Sequence, residues 1–118
     1  MDKEDYVSLE CAKLLKEKGY CWPCGTFYTL EGFIKFRSIA DNFNRLTAYS
    51  RPTLYEAQKW LREIHNIDVL PVIKEESPKK DYCCYVYKNA KVVRCKVAYG
   101  EDFYECMNEG LFEALKLI

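Results

Sequence analysis

RPTLYEAQKWLREIHN, residues 51–66, carries the strongest structural signal in the chain, and the other elements are read outward from it. Thr53 followed by Glu56 makes a capping box, in which the threonine hydroxyl and the glutamate carboxylate each satisfy a backbone N–H left unpaired by the first helical turn. Pro52 disfavours helix in the residue before it and so keeps the helix from starting earlier. Leu54, Ala57, Leu61 and Ile64 recur at spacings of three and four, with Trp60 beside them, which predicts one apolar stripe along a helix. Lys59, Arg62 and Glu63 fall mostly off that stripe. His65 suits the negative end of the helix dipole, and Asn66 tolerates the left-handed conformation that ends helices.

The length of 118 residues fits one domain, with 1–50 (a helix plus short strands) and 51–118 (helix, three strands, helix) as its two halves. An apolar fraction of 49% with 15% aromatic residues is that of a folded globular chain. Eighteen basic residues offset 18 acidic ones, a balance that argues against a protein built mainly to hold duplex nucleic acid. The first residues, MDKEDYVSLEC, lack an apolar signal region, and no apolar run approaches the roughly 20 residues that span a bilayer. A cytoplasmic protein without membrane contact is therefore expected. Seven cysteines, an odd number, cannot pair completely within one chain, so they are read as reduced, mostly buried small apolar residues.

Outside 51–66, Ser8 and Gly19 bracket LECAKLLKEK as N-cap and C′ residue, predicting a first helix that buries Leu9, Ala12 and Leu14 or Leu15. TFYTL and FIKFR, separated by Glu31-Gly32, predict a hairpin with a two-residue turn. RLTAYS reads as a third short strand, and IADNFN as either a helical turn or a loop. In IDVLPVIK, Ile67, Val69 and Ile73 alternate with Leu70 and Val72, which suggests a strand apolar on both faces, while Pro71 points to a sheet edge or bulge. DYCCYVYK and KVVRCKVA predict a second hairpin joined at Asn89-Ala90. A last helix starts at Asp102 with Glu105 as capping partner and carries Phe103, Met107, Leu111, Leu115 and Ile118 on one face. Gly110 inside it costs about 1 kcal/mol relative to alanine, which implies close packing there. The fold class expected is α+β, with an antiparallel sheet carrying helices on one face.

AKLLKEKGY near the start, SRPT leading into AQKWLREIHNI, and EGLFEALKLI at the end together resemble a group of small uncharacterised proteins encoded by phages and mobile elements of gut anaerobic bacteria. The blocks cover most of the chain, and residues 25–50 and 71–99 are the variable parts. The resemblance implies a cytosolic, phage-related setting. It transfers no activity and no site residue.

Cys21-Trp22-Pro23-Cys24 has the CxPC form of thioredoxin-like redox pairs, in which a following helix lowers the pKa of the first thiol. Here a helix precedes the motif and a β-prone run follows, so a proline turn with two packed cysteines explains the same residues. A zinc site through Cys21 and Cys24 would need two further ligands, and Cys11, Cys83, Cys84, Cys95, Cys106 and the single histidine supply no matching spacing. No nucleophile motif, phosphate-binding glycine loop or HExxH is present, and His65 is explained by its helix end. No catalytic residue, metal ligand or cofactor is therefore expected.

A two-residue loop at Asn89-Ala90 would pair Lys88 with Lys91, Val86 with Val93, Tyr85 with Arg94, Cys84 with Cys95, Cys83 with Lys96 and Tyr82 with Val97. That register sends Tyr82, Cys84, Val86, Val93, Cys95 and Val97 to the core. Tyr85, Tyr87, Arg94 and Lys96 then form an outward face of rings and cations, which suits single-stranded nucleic acid or a protein partner. The order of elements in 53–118 is also similar to that of double-stranded RNA-binding domains, but Glu101, Asp102 and Glu105 stand where such domains need basic residues. The expected role is a non-enzymatic accessory protein that acts through protein–protein contact or self-association as a homodimer, with nucleic-acid binding as the alternative.

Overall fold

The computed structural model describes residues 5–74, 81–100 and 102–118, with the side chains of 74 and 94–100 outside that description. The chain runs α1 (Leu9–Glu17), β1 (Cys24–Tyr28), β2 (Ile34–Asp41), a 3-10 turn (Phe43–Arg45), β3 (Tyr49–Ser50), α2 (Leu54–His65), β4 (Ile67–Lys74), β5 (Asp81–Lys88), β6 (Lys91–Gly100) and α3 (Phe103–Leu115). This is an α+β fold whose strands divide into two antiparallel three-stranded sheets, ordered β2-β1-β3 and β4-β5-β6. Among the described residues no helix is long and apolar enough to cross a membrane.

Local chemistry sets the helix ends. Ser8 caps α1 by accepting from the Cys11 N–H, and Gly19 follows the helix at φ 92°. In α2 the Glu56 N–H donates to the Thr53 hydroxyl and the Thr53 N–H to Glu56 Oε1, both at 3.1 Å, so the capping box is complete. Asn66 ends that helix at φ 54°, ψ 40°, and β4 starts at the next residue. Asp102 caps α3 by accepting from the N–H groups of Tyr104 and Glu105.

All three helices and both sheets contribute to one core, so 1–50 and 51–118 are not separately packed. α3 lies across β4, β5 and β6 on one face of their sheet, α2 packs on β4 and α3, and α1 joins α3 to β3. Leu54, Ala57, Trp60 and Leu61 of α2 are buried, but Ile64 is 56% exposed, so the stripe turns toward Trp60 instead of continuing to the last turn. Trp60 packs edge-on against both Tyr20 (5.3 Å) and His65 (4.8 Å). Met107, Leu111 and Leu115 of α3 are buried as the spacing predicts, whereas Phe103 lies at the exposed end. Gly110 is where α3 touches the sheet: a Cβ there would sit 2.7 Å from Cys84 Sγ.

The first hairpin differs from expectation. Its loop holds three residues, because the Thr29 N–H donates to the Phe33 carbonyl and the Gly32 N–H donates back to the Thr29 carbonyl. Gly32 takes φ 90°, the positive value that this turn-plus-bulge connection requires. Residues 43–45 form a helical turn, and only Tyr49–Ser50 of RLTAYS becomes a strand. Asn44 ties this region together, donating to the Tyr20 carbonyl (2.9 Å) and accepting from the Ser50 N–H (2.7 Å).

The second hairpin turns at Asn89 (φ 53°) and Ala90 (φ 64°), as the sequence indicates. The predicted register holds at Lys88↔Lys91 and Tyr87↔Val92 and then slips: Val86 faces Arg94, Cys84 faces Val97 and Tyr82 faces Gly100. Irregularities between successive pairs add residues on β6, which removes the expected Tyr85–Arg94 and Val86–Val93 pairs. Val93 is exposed instead of buried. The expected burial of Cys95 and Val97 falls on side chains outside the described residues. β4 is a sheet edge, consistent with Pro71, and its outer residues Leu70 and Val72, together with Ile73, are exposed, so only one of its faces is buried.

Two positive φ values at the turn fit an Asn-Gly sequence, and Ala90 takes the second at a steric cost that glycine avoids. Ala90→Gly is expected to raise unfolding stability by about 1 kcal/mol, less the extra chain entropy of glycine, and urea denaturation of the two proteins checks it.

Candidate functional site

Cys21-Trp22-Pro23-Cys24 joins α1 to β1, with Cys21 exposed and Cys24 buried as the first strand residue. No helix begins at the motif, so neither thiol gains a helix dipole. Burial, with the Glu56 carboxylate adding to it, pushes the Cys24 thiol up to about 12, and burial beside Glu10 raises Cys11 to about 12. Both shifts oppose thiolate chemistry. Cys84 and Cys106 lie with their sulfurs 3.6 Å apart, and burial raises both thiols. Among the described residues, no group of three or more His, Cys, Asp or Glu side chains is placed to hold a metal ion.

This arrangement predicts a labelling pattern. Iodoacetamide near neutral pH is expected to modify Cys21 in the folded protein and to spare Cys11 and Cys24, as peptide mass mapping would show. A folded thiol pKa of about 12 against an ordinary value of 9.0 means that the unfolded chain loses its proton first. The stabilisation is therefore complete below about pH 9 and is lost as pH rises toward 12. Urea midpoints at about pH 8 and 10 should fall less in a Cys11→Ala/Cys24→Ala variant than in the parent.

Of the four residues expected on the outward face, Tyr85 and Tyr87 are half-buried, standing opposite Leu70 and Asp68 of β4. Tyr87 also faces Val92 across β5 and β6. The Arg94 backbone is opposite Val86, and the side chains of Arg94 and Lys96 fall outside the described residues. Among the described residues, exposed Leu70, Val72 and Val92 lie with Asp68 around the two tyrosines, on the side away from the helices.

A larger uncovered surface lies on the other sheet. β1 is its centre, β3 contributes two residues, and β2 is an edge strand exposed from Ile34 to Ala40. Phe36 is 81% exposed and Ile39 79%, with Phe33 and Ile34 beside them in sequence. Arg37 folds back over the stacked rings of Phe27 and Phe43, which leaves Phe36 without a comparable cover. Four residues of β2, 37–40, span the distance that Gly25 alone spans on β1, so the strand bulges outward. FIKFR reads in sequence as an ordinary strand. Its one distinguishing signal is that apolar residues continue through Ile39 and Ala40 with no helix nearby to cover them.

No protein-family model, curated protein or solved structure matches the chain.

Proposed function

We propose that this protein is a non-enzymatic accessory module that associates with protein through the β2 edge, the first occupant being a second copy of the chain. The observation that carries the reading is the exposure of β2 along nearly its whole length, with Phe36 and Ile39 presented to solvent. An unpaired strand edge offers backbone N–H and C=O groups to another strand, and exposed apolar side chains on it mark a contact surface. β2 is also complementary to itself. In an antiparallel pair about a two-fold axis through Ser38, Lys35 of each strand stands opposite Asp41 of the other.

Native mass spectrometry and light scattering at about 100 µM protein test the reading. The parent is expected to be a dimer, and Phe36→Lys/Ile39→Lys a monomer with an unchanged circular dichroism melt. A monomeric parent at that concentration overturns self-association through β2. A dimer that survives the β2 substitutions but dissociates on Leu70→Lys/Val72→Lys would move the interface to the outer face of the second sheet.

A further inference from the structure

Arg51 is only 5% exposed, and among the described residues its guanidinium has no hydrogen-bond or carboxylate partner; its Nε is buried and unsatisfied. Its backbone explains its place: the N–H donates to the Thr26 carbonyl and the carbonyl accepts from the Thr26 hydroxyl, fixing it where β3 leads into α2. The side chain lies over Tyr6, 4.0 Å from the ring centroid, with Tyr28 at 5.5 Å. Tyr28 is itself held by donating its hydroxyl to the Val7 carbonyl at 2.6 Å. Arginine does not shed its proton in a protein, so burial leaves a full charge, and the Nε–H is the donor enclosed without a partner. Stacking on tyrosine offsets part of that cost and satisfies none of the donors.

The guanidinium lines a cavity of about 490 Å³, within the size range of small-molecule sites. Arg51 is the buried charge of its wall; Ser8, at the N-terminus of α1, also lines it, with its N–H already donated to Asn108 Oδ1 at 2.7 Å. Exposed carboxylates of Asp102 and Glu105 complete the lining. Asp102 already accepts two backbone N–H groups, whereas the Glu105 carboxylate has no partner among the described residues. Opposite charges at the two depths discriminate between ligands: a multiply charged anion meets Arg51 but is repelled at the mouth. A molecule with a carboxylate at one end and an ammonium at the other satisfies both.

We infer that this cavity binds a small zwitterionic aminocarboxylate, its carboxylate on Arg51 and its ammonium on Glu105. The cavity shares Ile34 with the β2 edge, whereas Arg51 and Glu105, whose substitution tests the site, lie outside that strand. The test follows the Arg51 Nε–H signal and the Tyr6 and Ser8 amides by NMR while glycine, L-alanine and L-phenylalanine are added to the full chain, with acetate and inorganic phosphate as separate arms. Saturable shifts are expected with at least one amino acid, and weaker or no shifts with acetate. Glu105→Gln, at an exposed position that leaves the fold intact, should weaken binding about tenfold, the effect of losing one charge-assisted hydrogen bond. Arg51→Lys should remove the response, because a point charge replaces the planar fork. Three outcomes overturn the assignment: no shift with any amino acid, phosphate binding as well as the amino acids (an adventitious ion only), or Glu105→Gln binding unchanged.

Discussion

Gly110→Val is expected to destabilise the protein by about 3 kcal/mol, or roughly 12 °C in Tm for a domain of this size. A Cβ at this position would lie 2.7 Å from Cys84 Sγ, 2.9 Å from Cys84 Cβ and 3.2 Å from Val69 Cγ1. None of these neighbours can yield easily. Cys84 and Val69 are fully buried on adjacent strands, and the Cys84 sulfur is already against Cys106, 3.5 Å from its carbonyl and 3.6 Å from its sulfur. α3 must therefore lift off the sheet or rotate, giving up contacts of Met107, Leu111 and Leu115 along the same face. Gly110→Ala separates the opposing effects: it gains about 1 kcal/mol of helix propensity and should still lose net stability. Adding Cys84→Ala removes the sulfur but not the Cβ, so a double-mutant cycle by urea denaturation should return a favourable coupling of about 1 kcal/mol. Strictly additive effects would mean that the contact does not limit packing.

Trp60→Ala should cost about 4 kcal/mol, the usual range for emptying a large aromatic site. The loss is expected to spread beyond α2. Trp60 touches Tyr20, which follows α1, donates its backbone N–H to the Leu15 carbonyl and accepts from Asn44 through its own carbonyl. Removing the indole therefore loosens the joint between the two sheets as well as the helix. Hydrogen exchange should rise in α1 and β3 together with α2, while Trp60→Phe keeps most of the contact and should cost about 1–1.5 kcal/mol. Faster exchange confined to α2 would show that the halves are only loosely coupled.

The parts of this fold legible in the sequence are those set within a few residues. Ser8, Thr53 with Glu56, Asn66 and Asp102 all act on backbone groups in their own turn, so the helix boundaries follow from local chemistry. The Asn89-Ala90 turn is local in the same sense. Its register is not, because the bulges between Tyr82 and Tyr87 depend on how β6 adapts to the helix above it, and KVVRCKVAYG carries no pattern that marks them. Ile64, Ile73 and Val93 are apolar yet exposed for a related reason: hydrophobicity states a preference for burial, and only the tertiary arrangement decides whether another element arrives to provide it. The same gap hid β2 as a candidate surface. Arg51 reads in sequence as a residue before a helix, and the rings that enclose it come from positions 45 and 23 residues upstream.

The turn at Asn89 and Ala90 also has a time axis. Asparagine ages when the next backbone nitrogen attacks its side-chain amide, releasing ammonia, and a following glycine permits that attack most readily because no Cβ obstructs it. Here Asn89 Oδ1 accepts from Asn66 Nδ2 at 3.1 Å, and the Asn89 N–H donates to the Asn66 carbonyl at 3.0 Å, so this one side chain and its amide hold the hairpin tip against the end of α2. Deamidation would place a negative charge at that junction. The Cβ that strains Ala90 thus also guards the chemical lifetime of the contact, and the glycine variant that unfolds less readily in minutes should lose its native amide sooner over weeks.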